Sequence, residues 1–440
     1  MTSEWTQVST PSALLDASRR DGARIEIREA LSGLPMLRLA PGVHLRGGEL
    51  RFGAKGLQLT RDNVVEGLRV QTAEHEPAII NDLTVETLGT IVLRDVETVG
   101  QVLLLADGRV RSGRVDVDGL RIERADVRGR TSRPAGFGVE AMQGAFTLWN
   151  RHADDRSRIT ATLLGISAGS TATPVRGSGV FVAGGGADGG ELEIDLLRTE
   201  EIHANGGIAA GTPDLISGGV FVVTGARVGE VVNAGAVTTY GANDMVLDNW
   251  GRVGRWIALE PITSHGQSAI GVVNFGSIDE LRLGATLETN GTGARGFNLY
   301  DGSLRRACFA SIQTSGDGAV GIEVSKDLPE IEIDGDLVTS GGEGMSLVKG
   351  VQRKLKATAL SIQEGGHVGR IAIGGRLATL GDGVVTLDVE GTLDELRVRG
   401  GIAALGNGSR ALQGNPRIRG LDEIAIETAT REAPGQSSQS

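Results

Sequence analysis

Short runs of alternating apolar and polar residues fill the second half of the chain, and a glycine precedes most of them. The glycines recur every 25 residues, with one longer interval after the fifth, and are Gly241, Gly266, Gly291, Gly316, Gly341, Gly381 and Gly406. Most of these repeats have an apolar residue four positions before the glycine and a Thr or Ser two positions before it. Further apolar residues generally follow at the fourth and sixth positions after it. A fixed period of this length is the signature of a repeat protein.

Alternation of apolar and polar residues predicts β-strands, because successive side chains of a strand point to opposite faces. One 25-residue period is too short to bury its own apolar side, so successive coils must stack and form columns of like residues. The column four positions before the glycine comprises Val237, Ile262, Leu287, Ile312, Leu337 and Leu377. The pattern therefore predicts an all-β fold, a single-stranded right-handed parallel β-helix in which the glycines form the corners.

The columns after the glycine are predicted in the same way. We expect the fourth, sixth and eighth positions to face the interior, which would bury Asn249 and Asn274 as a hydrogen-bonded pair. The apolar pairs at positions four and six are Met245/Leu247, Ile270/Val272, Val320/Ile322, Met345/Leu347 and Val385/Leu387. Cys308 is expected to be buried in a column with Leu283 and Ile333.

Upstream of Gly206 the period loosens, and insertions interrupt it. The segments "GFGVEAMQG", "GSGVFVAGG" and "SGGVFVVTG" are interpreted as versions of one strand. Insertions follow the corner glycines as "STATPVR" after Gly169 and "GIAAGTPDLI" after Gly206, and "VQRKLKATALSIQEG" follows Gly350. Loops inserted at one corner of successive coils would form a wall, and such loops commonly carry binding sites.

The N-terminal residues predict a cap for the first coil. In "TPSALLDASRRDGARIEI", Thr10 is a helix N-cap candidate and Pro11 suits the first helical position. A short helix followed by the strand–Pro-Gly–strand of "LRLAPGVHLRGGELRF" resembles the entry of right-handed parallel β-helices of the pectate-lyase-like superfamily. The resemblance concerns architecture, and no catalytic motif accompanies it. The predicted organisation is an N-terminal segment with a capping helix at 1–30, a β-helix at 31–425 and a disordered tail at 426–440.

Composition narrows the functional classes. The chain of 440 residues has a formal net charge of −11 and no basic stripe, which argues against nucleic acid as a partner. No apolar run is long enough to span a membrane, so no membrane partner is expected. Cys308 is the only cysteine, which excludes an intrachain disulfide. Without a recognisable signal peptide the default location is cytoplasmic, with leaderless or processed secretion left open.

No cofactor or metal is predicted. The glycine-rich "VAGGGADGG" lacks the Lys-Ser/Thr of a phosphate-binding loop. The island "LWNRHADDRSR" contains His152, Asp154 and Asp155 without a recognised ligand spacing, and it is typical of a solvated loop. Whether a metal binds near His152 is left open by the sequence.

The rare aromatic and titratable residues are concentrated in a few neighbouring coils. The candidate catalytic residues are Tyr240, Asp244, Asp248, His265 and Asp301. His titrates near neutrality, and two carboxyls a few ångströms apart suit acid–base hydrolysis of a glycoside. The candidate substrate-binding residues are His203, Asn243, Trp250, Arg252, Asn298 and Tyr300, of which Trp250 and Tyr300 share an outward column with Phe275. Such a column suits either a platform for sugar rings or simple packing beneath a loop.

Two functions follow from these residues. The first is a carbohydrate-active enzyme, a glycoside hydrolase or a lyase, that acts on an oligo- or polysaccharide in a groove of the β-helix. The alternative is a non-catalytic solenoid with a binding, adhesive or assembly role, in which the same residues are ordinary corner and surface positions. A homo-oligomer, for example a trimer, is compatible with either function. Substrate identity and reaction type lie beyond the sequence.

Overall fold

Two long parallel sheets account for most of the chain. The structure, a computed structural model, describes residues 4–348, 350–414 and 417–429. Within these residues a sheet of 25 strands, here sheet A, and a sheet of 16 strands, here sheet B, contain strands from successive coils. Nearly every strand pairs in parallel with its counterpart one coil away, as Val237–Thr239 pairs with Ile262–Ser264. This arrangement confirms the predicted all-β parallel solenoid.

The strands divide between the sheets as follows. Sheet A comprises Thr6–Val8, Arg24–Ile27, Leu31–Leu34, His44–Arg46, Glu49–Phe52, Val64–Glu66, Arg69–Gln71, Thr87–Val99, Ser112–Arg124, Arg158–Ala168, Val175–Arg176, Glu191–Asn205, Ala226–Asn233, Val237–Thr239, Arg252–Ala258, Ile262–Ser264, Ser277–Thr289, Ser303–Thr314, Asp327–Ile333, Leu337–Thr339, His367–Ile373, Leu377–Thr379, Thr392–Val398, Ile402–Ala404 and Ile426–Thr428. Sheet B comprises Leu37–Arg38, Leu57–Leu59, Pro77–Asn81, Gln101–Ala106, Ala135–Gly136, Val139–Ala141, Gly144–Asn150, Ser178–Ala183, Leu215–Val222, Asp244–Asn249, Ile270–Asn274, Arg295–Leu299, Val320–Val324, Leu360–Ile362, Val385–Val389 and Arg410–Gly414. A separate antiparallel hairpin consists of Glu343–Val348 and Val351–Lys356.

The interior of the coil is lined by the predicted aliphatic columns. Leu287 pairs in register with Ile262 on one side and Ile312 on the other, and all three side chains are fully buried. The same column continues through Leu337 and Leu377, as the period requires. Burial of each such side chain contributes about 1.5–3 kcal/mol, so the columns supply most of the stability of the fold.

The N-terminal end is capped as the sequence predicts. A helix spans Pro11–Ser18, the Thr10 side chain accepts a hydrogen bond from the Ala13 N–H at 3.3 Å, and Leu14 is fully buried in the core. Sheet A already includes Thr6–Val8 and Arg24–Ile27, so the solenoid pairing begins within the segment assigned above to 1–30. No helix in the described part of the chain is long and apolar enough to cross a membrane.

The C-terminal boundary also differs from the one given above. Strand Ile426–Thr428 pairs with Ile402–Ala404, so the sheet extends past residue 425. Parallel pairing to the preceding coil holds this strand although its three residues are exposed. The rest of the predicted tail, residues 430–440, lies outside the described residues.

Two segments interpreted as coil strands form hairpins instead. Met345 and Leu347 belong to the hairpin Glu343–Lys356, and the coil strand of that repeat is Leu360–Ile362, which pairs with Ile322 and its neighbours. Likewise, "GFGVEAMQG" contains a small hairpin at 135–141, and Gly144–Asn150 is the coil strand. Both hairpins have the apolar alternation of a coil strand, and alternation by itself does not say which neighbour a strand pairs with.

The fourth position after the corner glycine faces outward, contrary to the prediction. Met245 and Ile270 pack in a second apolar cluster outside the coil, whereas Leu247 and Val272 lie in the main core. The alternation of inward and outward residues breaks at the fifth position, which is Val246 in one coil and Gly271 in the next. This position is buried and faces the interior together with the sixth position. This break places Met245 and Ile270 on the outer surface of sheet B.

The eighth position faces inward as predicted. Asn249 and Asn274 are fully buried, and the Asn249 Nδ2 donates to Asn274 Oδ1 at 2.7 Å. Both amides also bond backbone groups of the corner, so the pair satisfies its own hydrogen-bonding capacity within the coil.

Cys308 is buried, as expected, but in a different column. It pairs in register with Arg282 and Glu332, whereas its neighbour Phe309 pairs with Leu283 and Ile333. The coil that precedes Cys308 has one additional residue at its corner, where Gly302 adopts a positive φ of 64°. That residue moves Cys308 from the inward to the outward position.

Candidate functional site

A pocket of about 290 Å³ lies on the outer face of sheet B and is here called the sheet-B pocket. Its floor comes from three successive coils, which contribute Met245, Asp248, Ile270, Phe275 and Tyr300. Three insertions surround this floor. They contribute Phe137 and Val139 from the first hairpin, Pro213 and Leu215 from the loop after Gly206, and Leu347 and Gly350 from the hairpin Glu343–Lys356. The pocket thus lies where insertions from distant parts of the chain meet over one sheet.

The polar side chains at the edge of the pocket hold the insertions in place. The Asn243 Nδ2 donates to the backbone oxygen of Thr212 at 2.8 Å, and the Ser268 Oγ accepts from the Leu347 N–H at 3.0 Å. Ser346 of the same hairpin donates to the Gly293 carbonyl at 2.7 Å. These groups are therefore engaged within the protein, and the predicted substrate-binding role of Asn243 competes with its role in holding the loop.

Asp248 is the outstanding polar residue of this floor. Its side chain is fully buried, and neither carboxyl oxygen has a hydrogen bond of normal geometry. Burial raises the pKa of this carboxyl well above its usual range, and the nearby Trp250 indole opposes the rise only in part. In register, Asp248 lies between Phe221 and Val273, so its neighbours on both sides are apolar. A carboxyl in such surroundings is stable mainly in its protonated form.

The aromatic column predicted from Trp250, Phe275 and Tyr300 exists, but its faces are largely covered. Phe275 stacks on Phe137 at 4.6 Å between centroids and on Tyr300 at 5.2 Å with an interplanar angle of 11°. Trp250 is buried, and a Cβ at Gly136 would lie 2.9 Å from its ring, so the first hairpin packs directly against it. Phe275 therefore presents its edge to the pocket, which is poorly suited to stacking on a sugar ring.

Further unpaired polar atoms lie on the same face, next to the pocket. Arg295 is almost fully buried, and none of its three guanidinium nitrogens makes a hydrogen bond of normal geometry. Its nearest carboxylate is Glu323, at 4.0 Å, and Glu323 also accepts from the Asn298 Nδ2 at 2.9 Å. Some buried side-chain polar atoms of the described residues make no hydrogen bond of normal geometry. More than half of these atoms belong to Asp248, Trp250, Arg295 and Asn298. Such concentrations call for an explanation by a ligand or ordered water.

Tyr300 and Asp301 form one rim of the pocket. Burial raises the pKa of the Tyr300 phenol, and Asn298 lies within hydrogen-bonding reach of it. Asp301 is half-exposed, and its carboxylate pairs with the Lys326 ammonium at 3.2 Å. Of the predicted site residues, the pocket therefore brings together Asp248, Tyr300, Asp301 and Asn243.

Asp244 has a different environment from Asp248, although only four residues separate them. It is fully buried at the corner, where it accepts hydrogen bonds from Ser217 Oγ at 2.5 Å and from the Gly241 and Gly206 N–H groups. Burial raises its pKa to about 6, against the opposing effect of these donors. The hydrogen bonds show a carboxyl that organises the turn.

Tyr240 and His265 stack at 5.5 Å between ring centroids, and the His203 Nδ1 lies 3.0 Å from the Tyr240 hydroxyl. Burial lowers the pKa of His203. This stack occupies a corner of the coil and contributes no residue to the sheet-B pocket. Arg252 is exposed on sheet A and is likewise separate from the pocket. The predicted site therefore divides into a corner stack, a surface arginine and a pocket.

No metal site emerges from the described ranges, where no group of three or more His, Cys, Asp or Glu side chains could hold an ion. The His152 ring lies 2.6 Å from the Val110 carbonyl, and Asp154 is bound by Arg111 and Arg156. These interactions give the island around His152 a structural explanation.

Comparison with known proteins gives no further indication of function. The chain matches no family model, no curated protein and no solved structure.

Several residues of this pocket were not among the predicted site residues. Phe137 and Leu347 are the principal ones, and the buried Arg295 beside the pocket was not predicted either. A signal for the second hairpin exists, since "EGMSLVKGVQRKLK" consists of two strand-like runs around Gly350, which is typical of a hairpin. The buried Arg295 breaks an otherwise apolar column between Ile270 and Val320, and such an interruption is also visible in the sequence.

Proposed function

We propose that this solenoid is a binding protein that takes a compact, largely apolar small molecule in the sheet-B pocket. The observation that carries the proposal is Asp248, a fully buried carboxyl without a hydrogen bond of normal geometry on the floor of a largely apolar pocket. Leaving a polar group unpaired in the interior costs about 1–3 kcal/mol, and a bound molecule that pairs with it offsets that cost. Concave, mainly apolar pockets with a few polar groups are the usual form of small-molecule sites.

The chemistry of the lining favours an apolar ligand over a sugar. Phe137, Val139, Leu215 and Ile270 provide carbon surface, whereas the Asn243 amide already holds a loop. A polyhydroxylated ring would need many hydrogen-bonding partners, and few side chains of the pocket are available for that purpose.

Entry to the pocket requires local adjustment, because the Asp248 oxygens have no contact with solvent. Met245, with its flexible thioether chain, and Phe137, which is 45% exposed, are the lining side chains with the most freedom to move. Movement of these side chains would leave the sheet itself unchanged.

The proposal is tested by screening a library of small aromatic and aliphatic fragments by ligand-observed NMR. Phe137→Ala and Leu347→Trp should each weaken fragment binding by about tenfold, since the first removes a wall and the second fills the pocket. The matched control is Leu259→Ala, which truncates a comparably exposed apolar residue away from the pocket. Equal fragment binding by all three variants and the parent protein would refute a ligand site at this position.

A second candidate is the carbohydrate-active enzyme predicted from the sequence. The specific observation in its favour is that Asp248 and Asp301 line the same pocket in contrasting surroundings, one buried and one half-exposed beside Lys326. Contrasting environments of two carboxyls are the arrangement used by glycosidases for acid and base. The resemblance to pectate-lyase-like β-helices supports the same candidate only by analogy of fold.

This candidate is tested by turnover on an oligosaccharide panel. Asp248→Asn and Asp301→Asn should each reduce turnover by about 100-fold or more while thermal melting shows a folded protein. Wild-type turnover in both variants, or no turnover by the parent on any sugar, would leave the binding function as the better explanation. The predicted homo-oligomer stays a prediction that sedimentation measurements can address.

A further inference from the structure

We infer that the occupant of the sheet-B pocket is an uncharged molecule with a carbonyl oxygen that accepts a hydrogen bond from the protonated carboxyl of Asp248. The inference rests on the proposed binding function and specifies the chemical class of the ligand. It follows from three features of the structure, namely the absence of a cation beside Asp248, the orientation of the aromatic rings and the low polarity of the lining.

Asp248 has no counter-ion. In the described part of the chain, no Lys, Arg or His nitrogen lies within 4.0 Å of its carboxyl oxygens. Its in-register neighbours are Phe221 and Val273, and the one polar side chain that lowers its pKa is the Trp250 indole. An ionised carboxylate in this position would lose its hydration without compensation. The protonated acid avoids that loss and becomes a hydrogen-bond donor, a role consistent with the raised pKa of this group.

The other charged groups around the pocket have partners or act on its rim. Asp301 pairs with Lys326 at the rim, and the phenol of Tyr300 completes the titratable groups of the lining. Arg295, the in-register neighbour of Ile270, and Glu323 lie beside the pocket on the same face and act on Tyr300 with opposite charges. Arg353 of the hairpin adds a further positive charge. These surroundings supply no excess of negative charge that would favour a cationic ligand.

The rings of the pocket disfavour a cation as well. Cations bind the electron-rich faces of aromatic rings, whereas the ring edge has a partial positive charge. Both faces of Phe275 are covered, one by Phe137 and the other by Tyr300. Phe275 therefore presents its edge to the pocket, and that edge suits an electronegative atom such as a carbonyl oxygen.

The experiment uses three probes of nearly the same shape, which are ethylbenzene, acetophenone and 1-phenylethylamine. Binding to the full chain is measured by NMR titration at pH 5 and pH 9. Acetophenone should bind about tenfold more tightly than ethylbenzene at pH 5, because it alone of these two accepts a hydrogen bond. Ionisation of the Asp248 carboxyl between pH 5 and pH 9 should lower the affinity for acetophenone. At either pH, 1-phenylethylamine should bind no better than ethylbenzene.

Substitutions separate the donor role of Asp248 from its shape. Asp248→Asn retains an N–H donor, so acetophenone binding should persist within about threefold and lose its dependence on pH. Asp248→Leu removes the donor and should reduce acetophenone affinity to that of ethylbenzene. Asp279→Asn makes the same chemical change on the exposed face of sheet A and should alter nothing.

The outcomes distinguish the inference from the proposed function. Tighter binding of 1-phenylethylamine than of acetophenone, or an affinity that rises with pH, would overturn the neutral-acceptor class and favour an amine paired with ionised Asp248. Equal binding of all three probes would preserve the pocket and remove the role of Asp248. Failure of every probe to bind, with the protein folded, would count against the pocket itself.

Discussion

The outer face of sheet A is charged and exposed, whereas the outer face of sheet B around the pocket is apolar and covered by three insertions. On sheet A a single column alternates in charge over eight successive strands or bridges, through Glu230, Arg255, Glu280, Arg306, Glu330, Arg370, Glu395 and Arg419. Neighbouring members form ion pairs, such as Arg306 with Glu330 and Arg370 with Glu330, both at 3.3 Å.

The alternation has a simple cause. Parallel stacking places equivalent side chains about 4.8 Å apart, so like charges in adjacent coils would repel each other. On sheet B the same rule is not followed, because Asp248 and Arg295 each have apolar neighbours on both sides of their columns. One scaffold thus pairs its charges with in-register partners where they are exposed, and leaves Asp248 and Arg295 without such partners where they are buried. Departures of this kind are typical of functional sites.

The strongest test of this contrast adds a charge to each face. Val273→Asp should destabilise the protein by about 3 kcal/mol or more, because the new carboxylate would be buried between Asp248 and Asn298. Ile257→Asp on the outer face of sheet A should cost about 1 kcal/mol, since that position is half-buried beside Arg282. Urea unfolding measures both, with Val273→Thr as the uncharged control. Equal costs on the two faces would contradict the contrast.

The second test replaces a buried carboxyl. Asp248→Asn should stabilise the protein by about 2 kcal/mol at pH 8, because the folded state no longer has to keep protonated a carboxyl that ionises in the unfolded chain. The pKa of Asp248 is raised in the folded state, so wild-type stability falls as pH rises from 3.8 towards the folded value and stays low above it. The gain of the variant should therefore grow with pH.

Thermal melting of wild type and Asp248→Asn from pH 4 to pH 9 measures this growth. Val273→Thr, which removes no titratable group, controls for general effects of pH. A gain that is the same at every pH would show that burial of the Asp248 charge does not contribute.

A third, smaller effect concerns the alternating column. Arg255→Glu would place three like charges in a row with Glu230 and Glu280 and should cost about 1 kcal/mol. The double variant Glu230→Arg/Arg255→Glu should recover part of the loss, since it restores opposite charge on one side and the next neighbour, Leu196, is uncharged. Measurements at low and high salt provide the check, because screening should reduce the loss. A loss that does not change with salt would exclude repulsion as its cause.

The smallest effect is expected at His367, whose ring bridges Asp327 at 2.5 Å and Asp394 at 3.2 Å on the exposed edge of sheet A. These carboxylates raise the pKa of the imidazole above 6.5. A raised histidine pKa contributes stability that is fully present below pH 6.5 and is lost as pH rises through the folded value. The contribution is a fraction of a kcal/mol, because the side chain is exposed and screened by solvent.

His367→Gln should accordingly lower the melting temperature at pH 6 more than at pH 9. The comparison at two pH values, at equal ionic strength, isolates the charged form of the ring. The opposite order of the two differences would mean that the neutral ring is the stabilising form.

The period in the sequence determined the fold and the main columns. Val237, Ile262 and Leu287 follow each other every 25 residues, and stacking at one strand spacing leaves no other arrangement that buries them. The Asn249–Asn274 pair and the Thr10 helix cap could likewise be predicted from the sequence, because each depends on contacts fixed by the repeat or by neighbours in sequence. The candidate site could be predicted from the sequence only in part, since Asp248 and Tyr300 line the pocket and His265 does not.

Only the tertiary structure decided what covers sheet B. The hairpin Glu343–Lys356 reaches back to Ser268 and Gly293, and nothing periodic in its sequence specifies those partners. The break in alternation near Gly271 turned Ile270 outward, and parity along a strand cannot be followed through such an irregularity. Repetition fixes contacts between equivalent positions, whereas an insertion docks wherever its own side chains bury the most surface. The pocket over Asp248 is lined by those insertions, so it could be seen only once the chain was folded.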